Sequence, residues 1–386
     1  MSVVSSDSAQ RMRSWRRSLH RRPELGFDVG HTAETVAQLL HEFGVDEIHT
    51  GIGGTGVVGV VRSGTSDRAI ALRADMDALP IQEANEFDHR SQVDGAFHGC
   101  GHDGHTAMLL GAAEVLAAER SFDGTVVLIF QPDEENGHGA QAMLDDGMFE
   151  RFPVNAAYGM HNKPGLPVGK FATRVGSMMS SEDLFELVIT GSGGHASMPE
   201  KLVDPIVVAG ELISSLQTIV SRSVAAIDTA VVSITEILTD GARNIVPSTV
   251  TIRGDCRTFS SDVQATIEAR IRQLASGAAV AHGAEVSVSY THEFVPLVNT
   301  AAEVENAVAA ATALVGAENV DGDCEPWPAS EDFARLLDVV PGCYIDIGNG
   351  IEGHCANTLH NPSYDFNDDI LDLGARYWVE LVGSQL

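Results

Sequence analysis

Along the chain, short runs of β-branched residues alternate with longer stretches whose apolar positions recur every three or four residues. Residues 56–62, 69–74, 125–130 and 156–159 read as strands. Residues 13–20, 32–43 and 106–120 read as helices. This alternation predicts a layered α/β domain. The glycine-rich Ile52-Gly-Gly-Thr-Gly-Val-Val-Gly59 has neither the lysine of a P-loop nor the spacing of a dinucleotide fingerprint, so it reads as a tight turn entering a strand.

The pattern changes near Gly176-Ser-Met-Met179. Strand periodicity at 183–190, 228–237, 248–256 and 284–290 is interleaved with helical periodicity at 203–221 and 261–278. This βαββαβ order predicts a complete ferredoxin-like unit. Mixed α/β character then returns, with a strand at 344–348 and a closing helix at 368–382. The expectation is an α/β domain made of residues 1–178 and 292–386, interrupted by an inserted domain at 179–291.

At 386 residues the chain is long enough for two cores, and no apolar run approaches the ~20 residues a bilayer span requires. The net charge of −30 excludes nucleic acid and anionic membrane as partners, and only three of the 24 cations are lysines (Lys163, Lys170 and Lys201). Five cysteines and no hydrophobic core after the N-terminal arginines predict a cytoplasmic protein without a disulfide framework. Cysteines 256, 324, 343 and 355 read as buried or inert; Cys100 stands apart because of its neighbours.

Those neighbours form Cys100-Gly-His102-Asp103-Gly-His105, four potential ligands in six residues, on what reads as a loose turn just before the 106–120 helix. Three more polar clusters follow predicted strands: Asp75-Met-Asp77, Asp133-Glu134-Glu135 and His161-Asn162. Sites in open α/β sheets form outside the carboxyl ends of the strands, so these groups are expected to converge. The inventory exceeds one closed structural zinc site, since no Cys-x-x-Cys pair exists, and suits two divalent ions open to water. A hydrolase of this kind needs a carboxylate to move the water's proton. Glu134-Glu135 can supply a ligand and a base, and spacing leaves open which does which.

Taken together, Arg73-Ala-Asp-Met-Asp-Ala-Leu-Pro80, His98-Gly-Cys-Gly-His-Asp-Gly-His105, Gln131-Pro-Asp-Glu-Glu135 and Met160-His161 resemble the amidohydrolase branch of the metallo-aminoacylase/carboxypeptidase superfamily. That branch includes hippurate hydrolases, N-acyl-amino-acid amidohydrolases and auxin-conjugate hydrolases. His20-Arg-Arg-Pro-Glu-Leu-Gly-Phe27, Gly193-Gly-His-Ala-Ser-Met-Pro199, Asn244-Ile-Val-Pro247, Ser330-Glu-Asp-Phe333 and Leu359-His-Asn-Pro362 extend the likeness from about residue 12 to the C-terminus. The fold it implies is a di-metal peptidase-like catalytic domain with an inserted ferredoxin-like lid or dimerisation domain, in a homodimer or homotetramer.

The resemblance further implies that Cys100, His102, Glu135, His161 and His360 hold two divalent metal ions, with Cys100 bridging and Glu134 as general base and acid. The ions expected are Mn²⁺ or Zn²⁺, with Co²⁺ and Ni²⁺ permitted by the same donors. Asp75, Asp77, Asp103 and His105 would support the ligands. In the inserted domain, His195 resembles a residue that polarises the scissile carbonyl, and Asn244 one that holds the substrate carboxylate. Arg243 and Arg257 are candidates for the same carboxylate, with a solvated or ion-paired arginine as the alternative. The departure from the family pattern is Asp133, where a small residue is usual. Histidines 31, 41, 49, 89, 282 and 292 read as surface or capping residues. The implied activity is hydrolysis of N-acyl amino acids. The alternatives are a dipeptidase or carboxypeptidase on the same scaffold, and a non-catalytic metal-binding regulatory homologue.

Overall fold

The computed structural model describes residues 6–386, which fall into two compact units. The larger takes the described residues up to Met178, with Val298–Glu325 and Glu331–Leu386; the smaller takes Met179–Leu297 and Pro326–Ser330.

The larger unit is built on an eight-stranded mixed sheet. Four parallel strands form its centre in the order Gly124–Gln131, Ala69–Asp75, Ala156–Pro164, Gly342–Gly350. Ala69–Asp75 and Gly342–Gly350 are buried along their whole length. That explains why these segments read as apolar runs and not as alternating ones. The hairpin Glu47–Ile52/Gly56–Ser63 adds antiparallel strands at one side, and Gly53 to Thr55 is the tight turn expected there. The first hairpin strand was not expected from sequence. It lies at the sheet edge and is half exposed, so its pattern is weak.

Helix Gly30–Phe43 buries Thr32, Ala33, Val36 and Leu40, one stripe at helical spacing, and stops at Gly44, whose φ of 77° caps it in the left-handed region. Helix His102–Glu119 is buried on nearly all sides. Helix Leu371–Gln385 adds Tyr377, Trp378 and Leu381 to the same core as Leu109, Leu116, Leu128 and Ile345. Helix Ala301–Val315, rich in alanine, was not expected from sequence either.

The smaller unit is a four-stranded antiparallel sheet in the order Ala230–Thr239, Thr249–Thr258, Glu182–Thr190, Glu285–Phe294. Helices Pro205–Ser223 and Ser261–His282 connect its strands in the βαββαβ sequence. Both helices start on a side-chain cap: Asp204 accepts the Ile206 N–H, and Ser260 accepts the Val263 N–H. They bury Leu212, Leu216, Ile267 and Ile271 against Phe185, Leu187, Val250 and Ile252. The last strand runs to Phe294, not 290, because a register shift after His292 lets Phe294 pair with Glu182. The chain accordingly returns to the larger unit at Val298 and not at 292. No helix among the described residues is long and apolar enough to cross a membrane.

Candidate metal centre

Three central strands of the larger unit deliver polar groups at their carboxyl ends. Ala69–Asp75 leads to Asp75 and Asp77, Gly124–Gln131 to Glu134 and Glu135, and Ala156–Pro164 carries His161 and Asn162. Helix His102–Glu119 starts among them. The sequence placed its start at residue 106, but Gly101 turns the chain with a φ of 95°, and its carbonyl accepts the N–H groups of Gly104 and His105. His102, Asp103 and His105 therefore occupy the first helical turn. A Cβ at Gly101 would lie 2.3 Å from Asn162 Oδ1, so the turn needs glycine for space as well as for φ.

Donor atoms of Cys100, His102 and His161 lie within 4.8 Å of one another, and so do those of Cys100, Glu135 and His360. Cys100 belongs to both triads. The histidine rings are oriented from behind. His102 Nδ1 donates to the Asp77 carbonyl at 2.9 Å, and His161 Nδ1 donates to the Asn162 carbonyl at 2.7 Å. Each leaves its Nε2 lone pair facing inward. His161 Nε2 is 3.4 Å from Cys100 Sγ, and His360 Nε2 is 3.4 Å from Glu135 Oε2. His360 itself sits at a φ of 65°, pinned by its N–H to the Gly99 carbonyl.

His102 Nε2 and Glu135 Oε1 are both buried without a hydrogen-bond partner, 3.8 Å apart. Unpaired buried polar atoms are costly, and a cation between them would satisfy both. Their proton affinities agree with this. Burial opposes charge on His102, but Asp75, Asp77 and Glu135 raise it to about 10. Burial pushes Glu135 up to about 7 despite His102. Burial, then Glu135 and Glu134, push the Cys100 thiol up, so a bound cation is what would hold it as thiolate. The residues fit two divalent ions.

Glu134 is buried, with Oε2 3.8 Å from His102 Nε2. Burial raises its carboxyl well above the usual range, reinforced by Glu331, Glu135 and Asp332 and opposed by Arg73. Behind it lies a network that sequence reasoning did not assign. Buried Arg73 binds Asp75 at 2.7 Å, Glu331 and Asp332 at 3.0 Å, and Gln131 at 2.9 Å. Asp332 also accepts both Gln131 Nε2 and the Ala140 N–H, and burial pushes its carboxyl up to about 8. The Ser330-Glu-Asp-Phe333 motif was the available signal.

His105 has no free nitrogen: Nδ1 lies 2.7 Å from Asp75 and Nε2 lies 2.7 Å from Asn162 Oδ1. Asp103 points away from the ligand atoms, to Arg16 at 2.9 Å and His20 at 2.8 Å. Burial would raise the Asp103 carboxyl, but Arg16 and then His20 hold it far below the usual range. His20 also faces Glu83. Neither Arg16 nor His20 had been given a role from sequence. His89, expected at the surface, is buried and stacks on Phe87 with centroids 4.0 Å apart. Its apolar partner two residues earlier is what draws it in.

The remaining candidates belong to the smaller unit. His195 is paired in register with Ile245 in a two-residue ladder, and the Asn244 carbonyl accepts the Ala196 N–H, so His195 and Asn244 are neighbours. Both are exposed, as is Arg243. Arg257 is engaged with Glu182 at 2.8 Å, Asp255 at 3.0 Å and Ser330 at 2.7 Å, the ion-paired alternative.

Residues 71–384 match the family described as peptidase family M20/M25/M40. A hippurate hydrolase of Campylobacter jejuni is 41% identical over 366 residues, covering 95% of this chain and 94% of that protein. An N-acetylcysteine deacetylase of Bacillus subtilis is 37% identical, covering 96% of each chain. Among solved structures, the Bacillus subtilis YXEP protein, described as a dinuclear metal-binding peptidase from the M20 family, superposes with a TM-score of 0.85 at 33% identity, covering 98% of both chains.

Proposed function

The chain belongs to the peptidase family M20/M25/M40, and from that premise we propose that it hydrolyses the amide bond of N-acyl amino acids, hippurate-like compounds among them, to a carboxylic acid and a free amino acid. The observation that carries this reading is the pair of ligand triads sharing Cys100, with Glu134 buried beside them. Cys100, His102, Glu135, His161 and His360 would hold two divalent ions, Mn²⁺ or Zn²⁺. Bound there, the ions would polarise the scissile carbonyl and acidify the attacking water.

In this reading Glu134 takes the proton of that water and returns it to the leaving nitrogen. Its raised proton affinity suits a group that must hold a proton between the two steps. Glu331 and Asp332 keep that affinity high, while Arg73 fixes both carboxylates in place. Asp77 and Asn162 hold the imidazoles in the tautomers that leave Nε2 free. His195 would donate to the carbonyl oxygen as charge develops, and Asn244 would bind the substrate carboxylate, with Arg243 as the second candidate. The smaller unit would act as lid or dimerisation domain.

The test is a substrate panel on apo-enzyme reloaded with Mn²⁺, Zn²⁺, Co²⁺ or Ni²⁺ in turn. Hippurate and other N-acyl amino acids should be cleaved, and unblocked dipeptides much less. Preference for unblocked dipeptides would favour a dipeptidase or carboxypeptidase. No hydrolysis with any metal would overturn the enzyme reading.

A further inference from the structure

The loop bearing His195 is more constrained than its exposure suggests. A Cβ at Gly193 would lie 2.7 Å from the Val246 carbonyl oxygen, so this glycine permits the chain to lie against the Ile245–Val246 segment. Gly194-His195 and Val246-Ile245 then pair as a short ladder. The His195 carbonyl accepts the Met198 N–H at 3.0 Å, closing a turn over residues 195–198. That turn brings Ser197 back beneath its own histidine. The Ser197 backbone N–H lies 3.2 Å from His195 Nδ1, and the Ser197 hydroxyl oxygen lies 2.7 Å from the same nitrogen.

The direction of the first contact is fixed, because a backbone N–H can only donate. His195 Nδ1 must therefore be the acceptor, and a neutral ring then carries its proton on Nε2. The hydroxyl can rotate to donate to the same lone pair. We infer that Ser197 is a positioning residue that locks His195 in the Nε2–H tautomer. The ring is thereby presented as a hydrogen-bond donor to an oxygen acceptor, such as a carbonyl or carboxylate oxygen. With Nδ1 engaged and Nε2 protonated, His195 is neither a metal ligand nor a general base. The tautomer follows from the loop alone; its catalytic use rests on the proposed reading of His195 as the carbonyl-polarising group.

The experiment combines ¹⁵N-histidine NMR with kinetics on the full-length, metal-loaded enzyme, using Ser197→Ala, Ser197→Thr and His195→Ala, with the His195 signals assigned from their loss in His195→Ala. Wild type should show the Nε2–H pattern. Ser197→Ala keeps the backbone donor but loses the shorter contact. It should shift part of the population to the other tautomer and lower kcat about 3- to 10-fold, the worth of one neutral hydrogen bond, with KM little changed. Ser197→Thr should restore both. An Nδ1–H pattern in wild type, or a tautomer unmoved in Ser197→Ala, overturns the inference. A tautomer that shifts while neither Ser197→Ala nor His195→Ala changes kcat leaves the lock intact and overturns the catalytic reading of His195.

Discussion

In the larger unit, most groups capable of chemistry are buried and tied from behind: His102 by Asp77, His161 by Asn162, and Glu134 backed by the Arg73 network, whereas the His360 side chain is half exposed. In the smaller unit, His195, Asn244 and Arg243 lie at the surface, with the His195 ring held by its own turn. Under the proposed function, the contrast follows from what each set would bind. A cation strips donors of water and gains only if the ligands are already placed, so the cost of burying them is met when the protein folds. A substrate must be admitted and released, and its partners stay wet until it arrives. Damage to the first set should therefore appear in metal binding and stability, and damage to the second in turnover.

Glu134 gives the sharpest way to break this comparison, because it is buried with the ligands yet assigned to turnover. Glu134→Gln should lower kcat by about 10³- to 10⁴-fold while metal content by elemental analysis stays at wild-type stoichiometry. Loss of an ion from this variant would make Glu134 a ligand instead. Cys100 and His360 separate the two triads next. Cys100→Ala should weaken both ions by more than about 100-fold in chelator competition, and His360→Ala should weaken one, leaving roughly one ion per chain. Equal stoichiometry in the two variants would show that Cys100 is not shared.

Arg16 tests the buried side away from the ligands. It is enclosed, with Asp103, Asp365 and Asp368 around it. Arg16→Met strands those carboxylates and should cost about 3–5 kcal/mol in urea unfolding of metal-free protein at pH 7. Burial acts against ionising Asp103 and Asp365, but Arg16 leads the forces that hold both below the usual range. Carboxyls depressed in the folded state contribute stability above their unfolded pKa of about 4, and lose it as pH falls toward the folded value. The gap between wild type and Arg16→Met should therefore narrow between pH 7 and pH 3. A constant gap would mean that Arg16 stabilises by packing.

These residues also mark how much was legible in the chain. Central strands were readable because burial on both faces writes a continuous apolar run, and Asp75, Glu134 and His161 could be placed because they follow such runs directly. Helix His102–Glu119 was read four residues short. Its glycines and polar first turn look like a loop, and burial on all sides leaves no stripe to mark its start. The convergence of the ligand clusters was readable from their places at strand ends and from the family resemblance, but the pairings of the two buried arginines were not. Arg73 meets Glu331 across 258 positions, and Arg16 meets Asp365 across 349, so no local pattern distinguishes either arginine from a solvated one.

Arg257 makes the smallest effect informative. From sequence it was a candidate for the substrate carboxylate, but its guanidinium already engages Glu182, Asp255 and Ser330. The pair is only partly buried, with a quarter of each side chain exposed (25% and 26% for Arg257 and Glu182). Burial raises the Glu182 carboxyl even with Arg257 opposing it, so desolvation takes back much of what the ion pair gains. Water screens the remainder. Arg257→Gln should consequently lower stability by about 1 kcal/mol, visible as a small drop in Tm, with KM for an N-acyl amino acid unchanged within about twofold. A large rise in KM with Tm unchanged would mean that Arg257 leaves these carboxylates to bind substrate. It would then join His195 and Asn244 among the groups whose loss is read in turnover.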